Sequence, residues 1–306
     1  MMSLKQNTLK KIYTFEGKGL HTGKVSKLVL KPAPVDFGIK FKRVDLGEEA
    51  IIDVLADYVT STARSTTISK EDVTVITIEH ILSALTGLEV DNALIEINNI
   101  EVPILDGSSA PYVDAITKDG VLPQDKERKY IEIKEEILIE DENGAFLRIS
   151  PADEPSYEIK IDFNSKVLGV QTAYWDRTID YAKEIGKCRT FVFFHEIEFL
   201  FKNNLIKGGD VENAIVIVEN PVAPEQLDQM SKLFNVPILE RTENGYLSNL
   251  VLRFPNECGR HKLLDLIGDL RLVGGFLKAK VTAEKVGHRI NTLGAKAVRE
   301  QILKNR

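Results

Sequence analysis

The sequence predicts an α+β protein of two domains that share one topology, and three observations carry that reading. Strand-like alternation dominates the first third of the chain and resumes after residue 129. Apolar spacing of helical period appears only in a few separate stretches. The same order of elements also occurs twice. His80-Ile-Leu-Ser-Ala-Leu-Thr-Gly-Leu aligns with His261-Lys-Leu-Leu-Asp-Leu-Ile-Gly-Asp, which places Leu85 on Leu266 and Gly87 on Gly268. Each copy is followed by a strand, a turn ending in Gly107 or Gly287, and a final helix.

Lys27–Lys31 and Gly38–Lys42 alternate with period two and read as half-buried strands, separated by the loop formers Pro32 and Pro34. Ile78, Ile81, Leu82, Leu85 and Leu88 recur at helical spacing, and Gly87 marks the end of that helix. Strand Ala93–Ile97 follows. Ser108-Ser109 is the expected N-cap of the next helix, with Pro111 in its first turn and an end near Thr117. The charged stretch Asp119–Lys129 reads as a linker and divides the chain into domains 1–125 and 126–306. Strands resume, and Asp141-Glu142-Asn143-Gly144 signals a hairpin between Ile137–Ile139 and Phe146–Ile149. A loop and helix over Pro224–Phe234 precede an expected strand at Asn249–Phe254. A long helix begins near Cys258, a strand covers Phe276–Val281, and the last helix runs from about Ile290 to Leu303.

Composition narrows the function classes. The chain has 306 residues, and 40 Lys+Arg against 46 Asp+Glu leave a net charge of -6, without the basic excess of a nucleic-acid binder. Its two cysteines, Cys188 and Cys258, are too few for a disulfide framework. The polar, basic start leads into no apolar h-region, and runs such as Phe191–Phe194 and Ala214–Val218 fall far short of the ~18–20 residues that span a bilayer. These features predict a cytoplasmic protein with no transmembrane segment.

There are five histidines: His21, His80, His195, His261 and His288. His261 and Asp265 stand four apart on an apolar-periodic helix, so imidazole and carboxylate share a face, and Asp269 extends the stripe by another turn. That pair suits a zinc ion needing a third protein ligand, and it equally suits a surface hydrogen bond. His80 opens the matching helix of the other half. If the helices pack together it completes the site, with Glu79 beside it to accept a proton from water. Cys258-x-x-His261 also has ligand spacing. Gly17-Lys-Gly19-Leu-His21-Thr-Gly23 lacks the spacing of a dinucleotide loop and leads into no helix. The phenylalanines from Phe191 to Phe201 serve either as core or as the lining of an apolar channel.

Six segments now fall into order: Gly19–Gly23, Glu79–Leu85, Pro103–Ser108, Arg189-Thr190-Phe191, Arg260–Asp269 and Gly287-His288. In this order the chain resembles the UDP-3-O-acyl-N-acetylglucosamine deacetylases, zinc amidohydrolases of lipid A biosynthesis, over nearly its whole length. The resemblance implies two α+β domains, each a sheet layered on helices, with the helices packed between the sheets and the site between the domains. It implies hydrolysis of the N-acetyl group of UDP-3-O-(3-hydroxyacyl)-N-acetylglucosamine, with release of acetate, the committed step of that synthesis.

The resemblance assigns His80, His261 and Asp265 to a zinc ion, with Fe2+ as a competitor in the cell. Glu79 becomes the base, His288 the acid supported by Asp269, and Thr190 a donor to the developing oxyanion. Lys262 is placed to reach a substrate oxygen, whereas Arg189 and Lys187 read as substrate contacts or as solvated surface groups. His21 is structural or supports the site. A hydrophobic insert near 191–210, with Phe191, Phe193, Phe194 and Leu200, is expected to hold the acyl chain. The segment from about Glu219 to Tyr246 exceeds the usual form of the family and is similar to the deacetylase half of fusions with a 3-hydroxyacyl-carrier-protein dehydratase.

Overall fold

A computed structural model describes residues 5–197, 212–234 and 236–304. Strand β1 (Lys5–Leu9) is followed by β2 (Tyr13–Lys18), β3 (Val25–Pro32), β4 (Ile39–Arg43) and β5 (Ile51–Asp53). A three-stranded sheet of β6 (Val59–Ser61), β7 (Thr67–Lys70) and β8 (Val73–Ile76) leads into helix α1 (Glu79–Gly87) and strand β9 (Ala93–Ile97). Helix α2 (Ala110–Asp119) and strand β10 (Val121–Glu127) close the first half. The second half has β11 (Tyr130–Glu132), β12 (Ile137–Glu140), β13 (Phe146–Pro151), β14 (Ser156–Asp162) and β15 (Val170–Asp176). Then come α3 (Tyr181–Glu184), β16 (Phe191–Phe193), β17 (Ile215–Ile217), α4 (Pro224–Phe234), α5 (Glu257–Leu270), β18 (Phe276–Glu284) and α6 (His288–Lys304).

The repeat read from a few letters is a repeat of topology. One sheet has the order β2-β3-β9-β4-β5 and the other β12-β13-β18-β14-β15, with β11 added beside β18. In each, one parallel pair joins the strand after the long helix to an earlier strand, β4 with β9 and β14 with β18, and the remaining neighbours on these paths are antiparallel. The hairpin forms where Asn143-Gly144 signals it, with Gly144 at φ 72 supplying the left-handed turn residue. One core joins the two halves. Ile81, Leu82 and Leu85 of α1 and Leu263, Leu264, Leu266 and Ile267 of α5 are all buried in it, each burial worth about 1.5–3 kcal/mol.

Glycines let the elements of this layer approach closely. A Cβ on Gly268 would stand 2.1 Å from the Glu79 carbonyl oxygen, and one on Gly87 would stand 2.2 Å from the Tyr181 ring. The two glycines that align in the repeat therefore each clear a path for a neighbour across α1.

Two sequence expectations need correction. Asp119–Lys129 is not a linker: α2 ends at Asp119 and β10 pairs antiparallel with β1. This ribbon is mostly exposed along β10, so charged residues do not oppose the strand. Asn249–Phe254 forms no strand; Val251 is exposed, and its carbonyl accepts from Arg189 Nη2 at 2.6 Å instead of joining a ladder. The N-cap of α2 does fall at Ser109, with Ser108 Oγ accepting from the Ala110 N–H at 3.0 Å, while the Ser109 hydroxyl donates to the His80 carbonyl at 2.7 Å. The segment beyond residue 219 contributes α4, whose Leu227 and Met230 join Phe194, Val216, Val218, Leu239 and Leu247 in a second, smaller core.

Candidate metal and acid–base site

Helices α1 and α5 pack against each other, with Gly268 close against the Glu79 carbonyl, and this crossing brings residues 80, 261 and 265 together. Among the described residues, His80, His261 and Asp265 are the one group of three whose ligand atoms lie close enough to hold a metal ion, all within 4.8 Å of one another. His80 Nε2 and His261 Nε2 stand 3.6 and 3.4 Å from Asp265 Oδ1. That oxygen is buried and has no hydrogen-bond partner. A carboxylate oxygen held away from water at such cost needs a partner, and a cation between two imidazole nitrogens supplies one. His261 Nδ1 lies 3.0 Å from the Cys188 carbonyl oxygen. A carbonyl only accepts, so Nδ1 carries the proton and the Nε2 lone pair faces the site. Burial lowers the His261 pKa to about 3 against the pull of Asp265, which keeps the imidazole neutral as a ligand must be.

Burial opposes ionisation of Asp265, but His261 and Lys262 outweigh it and hold the carboxyl well below its usual range. Lys262 is engaged there: its Nζ donates to Asp265 Oδ2 at 2.8 Å and lies 5.5 Å over the Phe191 ring. The Cys258 thiol is not in the group, and burial pushes its pKa up to about 12, so the Cys258-x-x-His261 spacing is coincidental.

Beside this trio lies an acid–base arrangement. Glu79, in the first turn of α1, is buried, and burial raises its pKa. Its Oε1 stands 3.8 Å from His288 Nε2, and its Oε2 accepts from the Thr66 N–H at 3.1 Å. His288 opens α6 and places Nδ1 2.8 Å from Asp269 Oδ2. Burial alone would lower the His288 pKa; Asp269 and Glu79 outweigh it and raise it to about 9. Asp269 also accepts from Thr66 Oγ1 at 2.6 Å and from Asn291 Nδ2 at 2.9 Å. Thr66 and Asn291 escaped the sequence reading. A hydroxyl and an amide that orient a carboxylate leave no periodic signal, and only the fold brings Thr66 to Asp269, 203 residues away.

Thr190 is half-buried between two residues that touch the site: the Cys188 carbonyl meets His261 Nδ1, and the Phe191 ring centroid lies 6.4 Å from that of His261. Its N–H donates to the Gly107 carbonyl at 2.8 Å, which ties it to the Pro103–Ser108 loop. Phe191, Phe193 and the half-exposed Phe163 form an aromatic cluster with centroids 5.5 to 6.5 Å apart. Phe194 points elsewhere, into the smaller core under α4. Leu200 lies outside the described residues, as does most of the insert expected near 191–210. His195 is exposed and stacks on Phe193. The loop carrying His21 is clamped by buried Glu101, which accepts from the His21 and Thr22 N–H groups at 2.9 and 2.8 Å. Arg189 is buried against Glu257, not solvated, while Lys187 is exposed.

Among known proteins, the family model of the UDP-3-O-acyl N-acetylglycosamine deacetylases matches residues 6–234 and 227–300. A bifunctional enzyme LpxC/FabZ of Porphyromonas gingivalis is 43% identical over 302 residues, which cover 98% of this chain and 65% of that protein. The like-named protein of Bacteroides thetaiotaomicron is 41% identical, again with 65% of its length covered, so this chain spans less than two thirds of these relatives. A UDP-3-O-acyl-N-acetylglucosamine deacetylase of Cellvibrio japonicus is 39% identical, with 97% of this chain and 91% of that one covered.

Proposed function

Because this chain belongs to the UDP-3-O-acyl N-acetylglycosamine deacetylase family, we propose that it hydrolyses the acetamide of UDP-3-O-(3-hydroxyacyl)-N-acetylglucosamine and releases acetate, as the committed step of lipid A biosynthesis. The observation that carries a metal-dependent reading is the unpartnered, buried Asp265 Oδ1 facing the Nε2 atoms of His80 and His261. Those three residues would hold Zn2+, with Fe2+ as the alternative ion; two imidazole nitrogens and one carboxylate suit either. Bound there, the ion would polarise the amide carbonyl and make water nucleophilic near neutral pH.

The remaining work falls to side chains. Glu79 would accept the proton of the attacking water; Thr66 N–H holds one of its oxygens, leaving the other directed at His288. His288, kept protonated by Asp269 and Glu79, would deliver a proton to the departing nitrogen. Asp269 fixes the imidazolium through Nδ1, leaving Nε2 to donate. The Thr190 hydroxyl would donate to the carbonyl oxygen as charge develops there, a contribution of about 3–4 kcal/mol for such a donor. Lys262 would both hold Asp265 and offer its remaining donors to a substrate oxygen. Phe191 and Phe193 would flank the acyl chain beside the site, and Leu200, which lies outside the described residues, would take part as a further apolar contact.

The two halves would act as two domains with the site between them, the first running through the end of β10 at Glu127. The reaction would take place in the cytoplasm on a lipid-like sugar nucleotide; among the described residues no helix is long and apolar enough to cross a membrane. The part of the bifunctional relatives that this chain does not span supports a native setting beside a 3-hydroxyacyl-carrier-protein dehydratase. The deciding experiment incubates metal-loaded protein with the UDP-3-O-acyl substrate and measures acetate and free amine. Equal yields, lost on chelation and restored by Zn2+, are expected; no acetate from fully loaded protein refutes the activity. His261→Ala and Asp265→Ala should lose both metal and turnover, and full stoichiometric zinc in either would refute the ligand set.

A further inference from the structure

Glu257 lies in the first turn of α5 and is fully buried. Its carboxylate accepts four hydrogen bonds, all from outside the helix. Arg189 donates its backbone N–H at 3.1 Å, its Nε at 2.9 Å and its Nη2 at 3.1 Å, and Arg253 donates its backbone N–H at 2.6 Å. An acid placed only to favour a helix start would need neither a buried arginine nor a grip on another segment's main chain. A buried ion pair also adds little net stability over an apolar one, so its retention calls for another explanation.

The explanation lies in what the four bonds hold together. Arg189 is the residue before Thr190, and one of its donors is the backbone N–H itself. His261 follows Glu257 by one helical turn and Asp265 by two, along a rigid helix that rises about 1.5 Å per residue. The clamp extends further: Arg253 donates to the Lys187 carbonyl at 2.5 Å and to Asp106 Oδ2 at 3.1 Å, which joins the loop before α2 to the same point. We propose that Glu257, acting through Arg189, is a positioning residue that sets Thr190 and Phe191 in register with the His261 and Asp265 side of α5. Among the described residues, α5 reaches the chain beside Thr190 at two levels, through Glu257 in its first turn and through His261 Nδ1 at the Cys188 carbonyl one turn on, and only Glu257 grips Arg189 itself.

The proposal rests on the deacetylase reading above, and the test separates the two. Glu257→Gln keeps the shape and one acceptor but removes the charge. In metal-loaded protein, kcat with the UDP-3-O-acyl substrate should fall about tenfold or more while zinc content stays at wild type and KM changes little. The decisive measurement is a double-mutant cycle with Thr190→Ala. If Glu257 works through Thr190, removing the hydroxyl costs roughly 10²-fold in the wild-type background and much less in the Glu257→Gln background. A residue that only stabilises the fold gives the same Thr190→Ala penalty in both backgrounds, and that result overturns the proposal alone. A Thr190→Ala enzyme with wild-type kcat overturns the role of Thr190 and the proposal with it. Should Glu257→Gln not yield folded protein, Arg189→Lys carries the same cycle, since it keeps the charge and loses the fork that reaches both oxygens.

Discussion

Gly268→Ala tests whether the crossing of α1 and α5 sets the geometry of the site. Within a helix this substitution is favourable by about 0.8–1 kcal/mol on propensity alone. Here the new Cβ would stand 2.1 Å from the Glu79 carbonyl oxygen and 2.9 Å from its carbonyl carbon. Restoring an ordinary 3.4 Å contact requires the helices to separate by about 1.3 Å, the difference between 3.4 and 2.1 Å. The obstacle is backbone, so no rotamer change relieves it. Overpacking of this kind costs about 1–3 kcal/mol and outweighs the propensity gain. The shift acts where it matters most, because Glu79 and His80 sit on α1 while His261 and Asp265 sit on α5. Ligand distances tolerate about 0.2 Å, and a misplacement near 1 Å costs about 10²-fold in rate. Thermal unfolding should show a Tm lower by several degrees, elemental analysis should show reduced zinc, and kcat/KM should fall about 10²-fold. A Gly268→Ala enzyme with wild-type Tm, full zinc and wild-type kcat/KM would refute the inference that this contact registers the two helices.

Glu79→Gln should retain the metal, since Glu79 is not in the ligand trio, while turnover falls by about 10² or more; near-wild-type kcat in loaded protein would remove Glu79 from the role of base. His288 is raised above its unfolded value of 6.5 to about 9, so the stability it contributes is fully present below pH 6.5 and is lost as pH rises through about 9. The alkaline limb of kcat/KM should therefore fall near pH 9 and disappear or move in His288→Ala, and an unmoved limb in loaded, folded protein would assign it to another group. If Phe191 and Phe193 flank the acyl chain, each buried methylene removed from the substrate should lower kcat/KM about fourfold, from roughly 0.8 kcal/mol apiece; a rate independent of chain length would leave these rings as core.

How much of this was legible depends on the range over which each feature is encoded. Helices α1 and α5 follow from apolar residues a few positions apart, and the duplication shows because the same period recurs around Gly87 and Gly268. His261, Asp265 and Asp269 could be placed on one face from spacing alone, but the choice between a metal site and a surface hydrogen bond needed the family resemblance. Misreadings arose where a distant partner decides. Arg189 resembles any solvated arginine until Glu257, 68 residues later, buries it. The charge of Asp119–Lys129 reads as a linker because nothing local announces that β1, over a hundred residues earlier in the chain, pairs with the strand inside it. Leu250-Val251-Leu252 has strand letters but joins no ladder among the described residues, and the Val251 carbonyl accepts from Arg189 instead. Phe194 belongs to a phenylalanine run, yet the packing of α4 turns it away from Phe191.

The charges of the site give a reason for the arrangement that no single motif supplies. Glu79, Asp265 and Asp269 are three carboxylates, each 3% exposed or less. Asp269 is satisfied by His288, Thr66 and Asn291. Asp265 gives one oxygen to Lys262 and leaves the other unpartnered. Lys262 and His288 lie close by as cations, and full ionisation of the three buried acids would exceed those two charges by one. Burial already pushes Glu79 toward its neutral form, which cannot act as a base. A divalent ion beside Asp265 would satisfy the free oxygen and draw the Glu79 pKa back down by its field. An ion held there would thus also help to keep the base ionised, and under the proposed function metal binding and proton transfer would be coupled through Asp265 and Glu79.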